Sequence, residues 1–454
     1  MKEHVDLIIK GKYIITLGGK GVITDGAIAV KDKTIVDVDK KDNILGKYSA
    51  DEVIERPRHI IVPGFVDCHT HTQQLFLRSA ITDVLLQLPP VWTKLLIPFE
   101  KKLGEDLARL SSIVSIINML KNGITYFVEA CAPYPEVLAE AVKETGIKGV
   151  VTYAIYDILE GEVLDTKSVL KRAEELYRRY GRDVRVWMSL RQVMMATDEL
   201  INGVLELCKK YRTGLTIHLA EYQGEIDFTL AKSGLRALKY IESEGFTSIK
   251  PLVIAHGVFL SPEEIELVRR NNIGVCWCPT VDSWIMGPHW AGYTRIDNIL
   301  LSIGSDGGVW STLDLLHEVK IARAVGKSVS NALTYTKVTL DSTLALKAIT
   351  GVQGGIVQEK IGVIEKGYSA DLTVLSLESF KYLPVNDPIE LTVNFLEGDS
   401  VSDVFIDGKH VVKEGKVVVV DEKKVYEELL NKHDKIVKII NELKTQLLSK
   451  YVKT

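Results

Sequence analysis

Hydrophobic positions follow two rhythms along this chain. Up to about residue 58, and again after residue 355, short apolar and β-branched runs are separated by glycine-containing turns, a spacing that is typical of small β-domains. Between those segments, continuously apolar runs alternate with amphipathic stretches of helical period. The pattern predicts a first β-segment over residues 1–58, an alternating segment over 59–355, a second β-segment over 356–420 and a C-terminal amphipathic helix over 421–454.

The alternating segment predicts the fold class. Its eight apolar runs cover residues 60–71, 124–128, 149–155, 184–190, 215–219, 252–255, 273–277 and 300–305. Helical patterns between them cover residues 135–145, 167–180, 197–211, 225–244 and 262–271. Buried strands that alternate with helices indicate a parallel sheet, and eight such units are the count of an α/β (β/α)8 TIM-like barrel. An open doubly wound sheet would need a glycine-rich turn after its first strand, where His69 and His71 stand instead.

The two β-segments are expected to meet in one smaller β-sandwich domain, built from both termini. After residue 355 we predict strands at 362–364, 371–375, 401–407 and 411–420. The tail presents an apolar stripe at helical spacing, formed by Leu429, Ile436, Ile440, Leu443 and Leu447. Its polar face carries both signs of charge, which favours a packing or oligomer helix over a membrane helix.

Composition narrows the function classes. The 454 residues carry a net charge of −4, and lysines and arginines are spread along the chain, so we expect no nucleic-acid partner. No apolar run approaches the roughly 20 residues of a membrane span, so we expect no membrane partner. The five cysteines are few and odd in number, which suits a reducing compartment, and we predict a cytoplasmic homo-oligomer.

Four of the predicted strands end in residues that can bind metal or carry protons. His69 and His71 end the first strand, His218 and Glu221 the fifth, His256 the sixth, and Asp306 the eighth. The carboxyl ends of barrel strands meet at one rim. Three histidines and one carboxylate there suit zinc or iron with a water as further ligand, while Glu221 and His256 remain as proton carriers. The fourth strand offers no lysine for a bridging carbamate, which favours a single metal ion.

These motifs resemble the amidohydrolase superfamily over nearly the whole chain, in the branch of guanine deaminase, methylthioadenosine/S-adenosylhomocysteine deaminase and the triazine hydrolases. The resemblance rests on residues 63–71, on His218-Leu219-Ala220-Glu221, on Ala255-His256-Gly257, on Cys278-Pro279-Thr280, on Ser305-Asp306-Gly307 and on residues 367–372.

The resemblance implies roles for these residues. His69, His71, His218 and Asp306 would be the metal ligands. Glu221 would pass a proton to a ring nitrogen, His256 would polarise or position the attacking water, and Asp306 would accept the proton of that water. The implied enzyme uses a metal-bound hydroxide to remove an exocyclic amino group from a purine, pyrimidine or triazine. Alternatives are a cyclic amidohydrolase of the hydantoinase or dihydroorotase type, a dechlorinating triazine hydrolase, and a non-catalytic relative.

The substrate of such an enzyme would be a small heterocycle. Gln74 and Arg191 match residues of guanine deaminases and are expected to read an oxo-substituted ring; the alternative is that Gln74 caps a loop and Arg191 pairs with a surface acid. After Cys278-Pro279-Thr280 the family's usual Ser-Asn is replaced by Val281-Asp282. The aromatic stretch that follows places Trp284 or Trp290 as a candidate to stack on the ring.

Overall fold

The computed structural model describes residues 2–86, 91–287, 299–334, 340–352 and 354–451. Its strands are β1 (Glu3–Ile15), β2 (Val22–Lys31), β3 (Thr34–Lys40), β4 (Tyr48–Pro63), β5 (Phe65–Thr70), β6 (Ile124–Glu129), β7 (Lys148–Val151), β8 (Ile158–Leu159), β9 (Glu162–Val163), β10 (Arg185–Val186), β11 (Met188–Leu190), β12 (Leu215–Leu219), β13 (Leu252–His256), β14 (Gly274–Trp277), β15 (Leu300–Ile303), β16 (Leu372–Ser376), β17 (Val401–Ile406), β18 (Lys409–Lys413) and β19 (Lys416–Val417).

The α-helices are α1 (Lys41–Lys47), α2 (Asp83–Leu86), α3 (Ile97–Lys121), α4 (Pro135–Thr145), α5 (Thr166–Tyr180), α6 (Asp198–Tyr211), α7 (Gln223–Ser233), α8 (Ala237–Ser243), α9 (Pro262–Arg270), α10 (Pro279–Ile285), α11 (Leu315–Thr334), α12 (Ser342–Ile349), α13 (Pro388–Asn394) and α14 (Glu422–Tyr451). Several of these helices begin at a residue whose side chain caps the N-terminus of the helix. Ser261 and Glu264 form a reciprocal capping box at the start of α9, and Asp165 caps α5, so backbone N–H groups that lack helical partners are satisfied.

One mixed sheet joins both ends of the chain. Its order is β19-β18-β17-β16-β4-β1-β2-β3, and β16 runs antiparallel to β4 with Leu372 opposite Pro63. Apolar side chains from both halves share one buried cluster, in which Ile9, Ile28 and Ile61 lie with Leu372 and Phe405. The early and late β-segments therefore pair with each other in this sheet.

The remaining long strands pair in parallel and in chain order. β5, β6, β7 and β10 form one set, and β11 to β15 form another. Only Trp187 separates β10 from β11; its N–H bonds to Val151, and the next N–H, that of Met188, bonds to Gly214. At the other end Asp306 donates its N–H to the carbonyl of His69 at 2.9 Å. Hydrogen bonds thus run from β5 through β15 and return from Asp306 to His69 of β5.

The structure differs from the sequence prediction at several segments. Residues 60–63 end β4 in the mixed sheet rather than opening the first barrel strand, and the strand predicted over 149–155 ends at Val151. Residues 362–364 are not a strand, because Gly362 turns the chain with φ of 76°. The single helix expected over 225–244 is two helices, since Gly234 ends α7 in the left-handed conformation. The run over 411–420 is broken into β18 and β19 by positive φ angles at Glu414 and Gly415.

The C-terminal helix α14 packs on the rest of the chain. Ile436, Ile440, Leu443 and Leu447 are buried in one cluster with Leu103 and Leu107 of α3. Of the two roles predicted for the apolar stripe, intramolecular packing is therefore observed. Among the described residues, no helix is both long enough and apolar enough to cross a membrane.

Candidate active site

Four predicted ligands converge at the carboxyl ends of the parallel strands. His69 lies in β5 and His71 just beyond it, and the two side chains point the same way because strand side chains alternate. The Nε2 atoms of His71 and His218 are 3.2 Å apart. Asp306 Oδ1 lies 3.5 Å from His71 Nε2 and 3.9 Å from His69 Nε2. Donor atoms from three strand ends therefore surround one point.

The chemistry of these donors fits a divalent cation. Both ring nitrogens of His69 are buried and have no hydrogen-bond partner among the described residues. Burial lowers the pKa of His69, His71 and His218 well below the usual value of histidine, so the rings are held in the neutral form that binds metal. Ligand atoms of two triples lie within 4.8 Å of one another, namely His69, His71 and His218, and His69, His256 and Asp306.

The backbone at these strand ends is unusual. Ala220, His256 and Asp306 have φ angles of 52°, 67° and 55°, a left-handed conformation that is costly for residues with a Cβ. Each of the three positions follows or ends a strand whose side chains form the cluster. Local strain of this kind persists only where surrounding contacts fix it, and it concentrates at functional sites. Backbone hydrogen bonds between Asp306 and residues His69 and His71 supply such contacts.

Glu221 is buried beside the cluster and held by two partners. Gln192 donates from Nε2 to Glu221 Oε2 at 2.6 Å, and the Glu221 N–H bonds to Glu225 Oε2 at 3.1 Å. Burial raises the pKa of Glu221, although His256 opposes the shift. The carboxyl group is therefore more easily protonated than an exposed glutamate. Gln192 was not among the predicted site residues, and its position next to Arg191 was the only signal for it.

His256 lies between two carboxylates. Its Nδ1 is 2.8 Å from Asp282 Oδ1, and its Nε2 is 3.9 Å from Glu221 Oε1. Burial disfavours the charged ring, but Asp282 and Glu221 more than compensate and raise the pKa of His256 to about 10. The sequence marked Asp282 only as a departure from a family pattern, and the structure places it against a predicted catalytic residue.

Gln74 and Arg191 line the cavity over the cluster and both approach one buried acid. Gln74 donates from Nε2 to Glu100 Oε1 at 2.5 Å, and Arg191 Nη1 lies 3.9 Å from the same oxygen. Glu100 belongs to α3 and is 3% exposed, so the acid near Arg191 is not on the surface. Glu100 was not predicted, because nothing in its local sequence distinguishes it from other helix glutamates.

Of the two tryptophans predicted to stack on the substrate ring, Trp284 lies away from the cavity. Trp284 is 58% exposed and does not line the cavity, whereas Val281 and Ile285 of the same helix do. Successive residues of a helix point about 100° apart around its axis. Ile285 therefore faces the cavity, while the neighbouring Trp284 points toward solvent. Trp290 lies outside the described residues. The aromatic side chains that do line the cavity are Trp92 and Trp310, which the sequence analysis did not single out.

Comparison with known proteins identifies the family. The sequence pattern of the Amidohydrolase family matches residues 60–411. This chain belongs to the amidohydrolase family. The resemblance drawn from the strand-end motifs is thereby confirmed.

Individual amidohydrolases match almost end to end. A 5-methylthioadenosine/S-adenosylhomocysteine deaminase of Caldicellulosiruptor saccharolyticus is 27% identical over 94% of this chain and 97% of its own. A solved adenosine deaminase from Xanthomonas campestris with bound zinc is 23% identical, with a TM-score of 0.88 over 96% of this chain and 100% of that one. A guanine deaminase from C. acetobutylicum with bound guanine is also 23% identical, with a TM-score of 0.80 over 89% and 99% of the two chains.

Proposed function

We propose that this amidohydrolase is a metal-dependent deaminase, which replaces an exocyclic amino group of a nitrogen heterocycle by oxygen and releases ammonia. The observation that carries the proposal is the position of Glu221. It is a buried carboxyl group 3.9 Å from His256, in the same cavity as His71, His218 and Asp306. A proton carrier beside a metal cluster is what hydrolysis at an amidine carbon needs, and the sequence relative named above is a deaminase.

The architecture that we propose for this enzyme is the one expected from the sequence. The parallel strands would close a (β/α)8 barrel over residues 59–355. Residues 1–58 and 356–420 would form a β-sandwich beside it, followed by the helix over 421–454. The pairing of β16 with β4 and the return of hydrogen bonds from Asp306 to β5 support this arrangement.

One divalent metal would be held by His69, His71, His218 and Asp306. Zinc is the proposed ion, because three imidazoles and a carboxylate suit it and the solved Xanthomonas relative is described with zinc; iron is the alternative. When bound, such an ion supplies Lewis acidity that lowers the pKa of a water molecule toward neutrality.

Glu221, His256 and Asp306 surround the proposed metal position, and each would have a different part in the reaction. Glu221 would give a proton to the ring nitrogen next to the amino-bearing carbon, while water adds to that carbon. His256, fixed at Nδ1, would orient the water from its Nε2 side. Asp306 would take a proton from the water and help to deliver it to the departing ammonia. The reaction consumes one water and yields one ammonia and one oxo-substituted ring.

Gln74 and Arg191 are the proposed substrate readers. Both line the cavity, and Arg191 Nη1 is buried without a hydrogen-bond partner among the described residues. A ring carbonyl would satisfy that donor, whereas adenine offers no carbonyl, so we propose an oxo-substituted ring as the substrate. A small-molecule substrate fits the enclosed site; the cytoplasmic location and the homo-oligomeric state remain predictions.

The cyclic amidohydrolase alternative is less favoured. The strand that would carry a bridging lysine reads Met188, Ser189 and Leu190 in β11, and Glu221 occupies the place of a proton carrier for deamination. Ammonia release from purines, pyrimidines and triazines by the metal-loaded protein tests the proposal. Chloride release would support the dechlorinating triazine hydrolase instead. Opening of hydantoin-like rings without ammonia release would support the cyclic amidohydrolase.

A further inference from the structure

Gln192 carries a buried amide group of which only one end has a partner. The residue is 2% exposed and lines the same cavity as Glu221. Its Nε2 donates to Glu221 Oε2 at 2.6 Å, whereas its Oε1 is buried without a hydrogen-bond partner in the described part of the chain. Buried polar atoms are almost always paired in folded proteins, because an unpaired one is costly. A ligand in the cavity could supply the missing donor.

Glu221 decides which end of the amide remains unpaired. The amide oxygen has no hydrogen to donate, so the end that approaches a carboxyl oxygen as a donor is the NH2 group. Oε2 of Glu221 can accept in both charge states of this group, because a proton can sit on Oε1. The backbone holds the residue in place, since Arg191 donates its N–H to Ile155 at 3.0 Å and Met195 donates to the carbonyl oxygen of Gln192 at 3.1 Å.

The two oxygens of Glu221 face different neighbours. Oε1 lies 3.9 Å from His256 Nε2, and Oε2 contacts Gln192. A ring that takes a proton from Glu221 and turns its amino-bearing carbon toward the metal ligands therefore has its other flank near Gln192. A polar group on that flank has to be a donor, because the amide oxygen only accepts.

We propose that Gln192 is a substrate-recognition residue, whose Oε1 accepts a ring N–H on the flank away from the metal, so that the enzyme takes free bases rather than nucleosides. The inference rests on the proposed deamination and narrows its substrate class. In guanine, the nitrogen beside the amino-bearing carbon that can take a proton is N3, and N9–H is the next donor on that flank. The sugar of guanosine replaces this hydrogen. Adenine nucleosides offer only a carbon-bound hydrogen beside N1.

Two other buried groups of the cavity suit such a base. Trp92 Nε1 and Arg191 Nη1 belong to residues that line it, and neither atom has a hydrogen-bond partner among the described residues. Guanine carries acceptors at O6 and N7 in addition to the N9–H, so it can pair two donors and one acceptor. A substituent on N9 leaves both acceptors and removes the donor. The discrimination between base and nucleoside therefore falls on Gln192.

Turnover of guanine and of 9-deazaguanine by the metal-loaded protein tests the inference. The analogue has the same size but carries C–H in place of N9–H. The wild type should prefer guanine by about 10- to 100-fold in kcat/KM, the usual effect of leaving a buried polar group unpaired. Gln192→Met should lose about that factor of preference. A less well held Glu221 lowers turnover of both rings and cancels in the ratio. The exposed Gln223→Met on α7 is the matched control and should keep the wild-type ratio.

An unchanged ratio in Gln192→Met, with kcat lowered for both rings, would show that Gln192 only holds Glu221 and would overturn the inference. A wild type that turns over guanosine or methylthioadenosine better than any free base would also overturn it, and this comparison needs no variant.

Binding separates this inference from the proposed function. If no heterocycle releases ammonia, the proposed function fails, and guanine that is not turned over can be titrated into the loaded protein by calorimetry. The same preference for guanine over 9-deazaguanine is then expected in Kd, with the same loss in Gln192→Met. Guanine that neither reacts nor binds would contradict the assignment of Gln192.

Discussion

The Nε2 atoms of His71 and His218 lie 3.2 Å apart, although 147 residues separate the two histidines in the chain. They come from strands that are not neighbours, since β6, β7, β10 and β11 lie between β5 and β12 in the pairing order. Two buried neutral imidazoles that aim their ring nitrogens at one point from separate strands are well arranged to share a cation.

The ligand set can be tested by metal content. Asparagine variants of His69, His71, His218 and Asp306 should each lose bound metal on dialysis, because each removes a direct ligand. His256→Asn should retain one ion per chain, with at most the roughly 10- to 100-fold loss of affinity that follows removal of an outer partner. Elemental analysis of the dialysed proteins measures this. Loss of metal from His256→Asn but not from His71→Asn would select the other triple, with His69, His256 and Asp306.

Glu221→Gln should separate catalysis from structure. Glutamine keeps the size of the side chain and a hydrogen-bond contact with Gln192 but cannot carry the proton, so we expect kcat to fall by about 10²- to 10⁴-fold. Metal content and the thermal midpoint should stay close to those of the wild type. Glu206→Gln, on α6 and exposed, is the control. Near-normal turnover in Glu221→Gln would exclude the proton-carrier role.

Arg191 should control the choice of ring. Arg191→Lys keeps a cation near the buried Glu100 carboxylate but loses the planar fork that can read a carbonyl. Wild type should prefer guanine-like, isocytosine-like or hydroxytriazine rings over methylthioadenosine, and the variant should lose roughly tenfold or more of that preference in kcat/KM. Arg179→Lys on the exposed face of α5 should change nothing. If methylthioadenosine is the best substrate and Arg191→Lys is harmless, the oxo-ring preference is wrong.

The hydrogen bonds of Asp403 should make the free energy of unfolding depend on pH. Its buried carboxylate accepts two bonds from Arg56 at 2.7 Å and one from His410 at 2.9 Å. Burial alone would raise the pKa of Asp403, but these donors lower it overall to well below its usual value. Because the folded pKa lies below the unfolded one, the stabilisation is present above about pH 4 and is lost as the pH falls through the folded pKa.

Asp403→Asn should therefore lower the free energy of unfolding by about 2–3 kcal/mol at pH 7, and the difference from wild type should shrink toward pH 3. Denaturant unfolding across this pH range measures it. The control is Asp51→Asn, because the Asp51 side chain is 71% exposed and pairs with His4 at the surface. A deficit that grows as the pH falls would contradict the assigned sign.

The site residues that could be identified from the sequence are those that their near neighbours in the chain make recognisable. His69 and His71 are two apart at the end of an apolar strand, so their common direction follows from strand geometry. His218 and His256 lie near the ends of strands of the same kind, and Asp306 follows one. Parallel strands bring these ends together. The alternation of strands and helices could be predicted for the same reason, because each element has its own local pattern.

The residues that the sequence missed act through contacts between distant segments. Glu100 reaches Arg191 from helix α3, 91 positions earlier, and Asp282 reaches His256 from the loop and helix after the next strand. Neither has a local pattern that distinguishes it from an ordinary surface acid. Trp284 is the opposite case. Its position in the sequence predicted a contact with the substrate ring, but its place on helix α10 points it toward solvent.

The most direct test of the whole account is ammonia release by one preparation in three states: as purified with metal, stripped by a chelator, and reloaded with one equivalent of zinc per chain. The account predicts one ammonia per oxo-substituted ring formed, loss of turnover in the stripped protein, and its return on reloading. Undiminished turnover by protein that elemental analysis shows to be metal-free would contradict it, and so would a fully loaded protein that releases ammonia from no heterocycle.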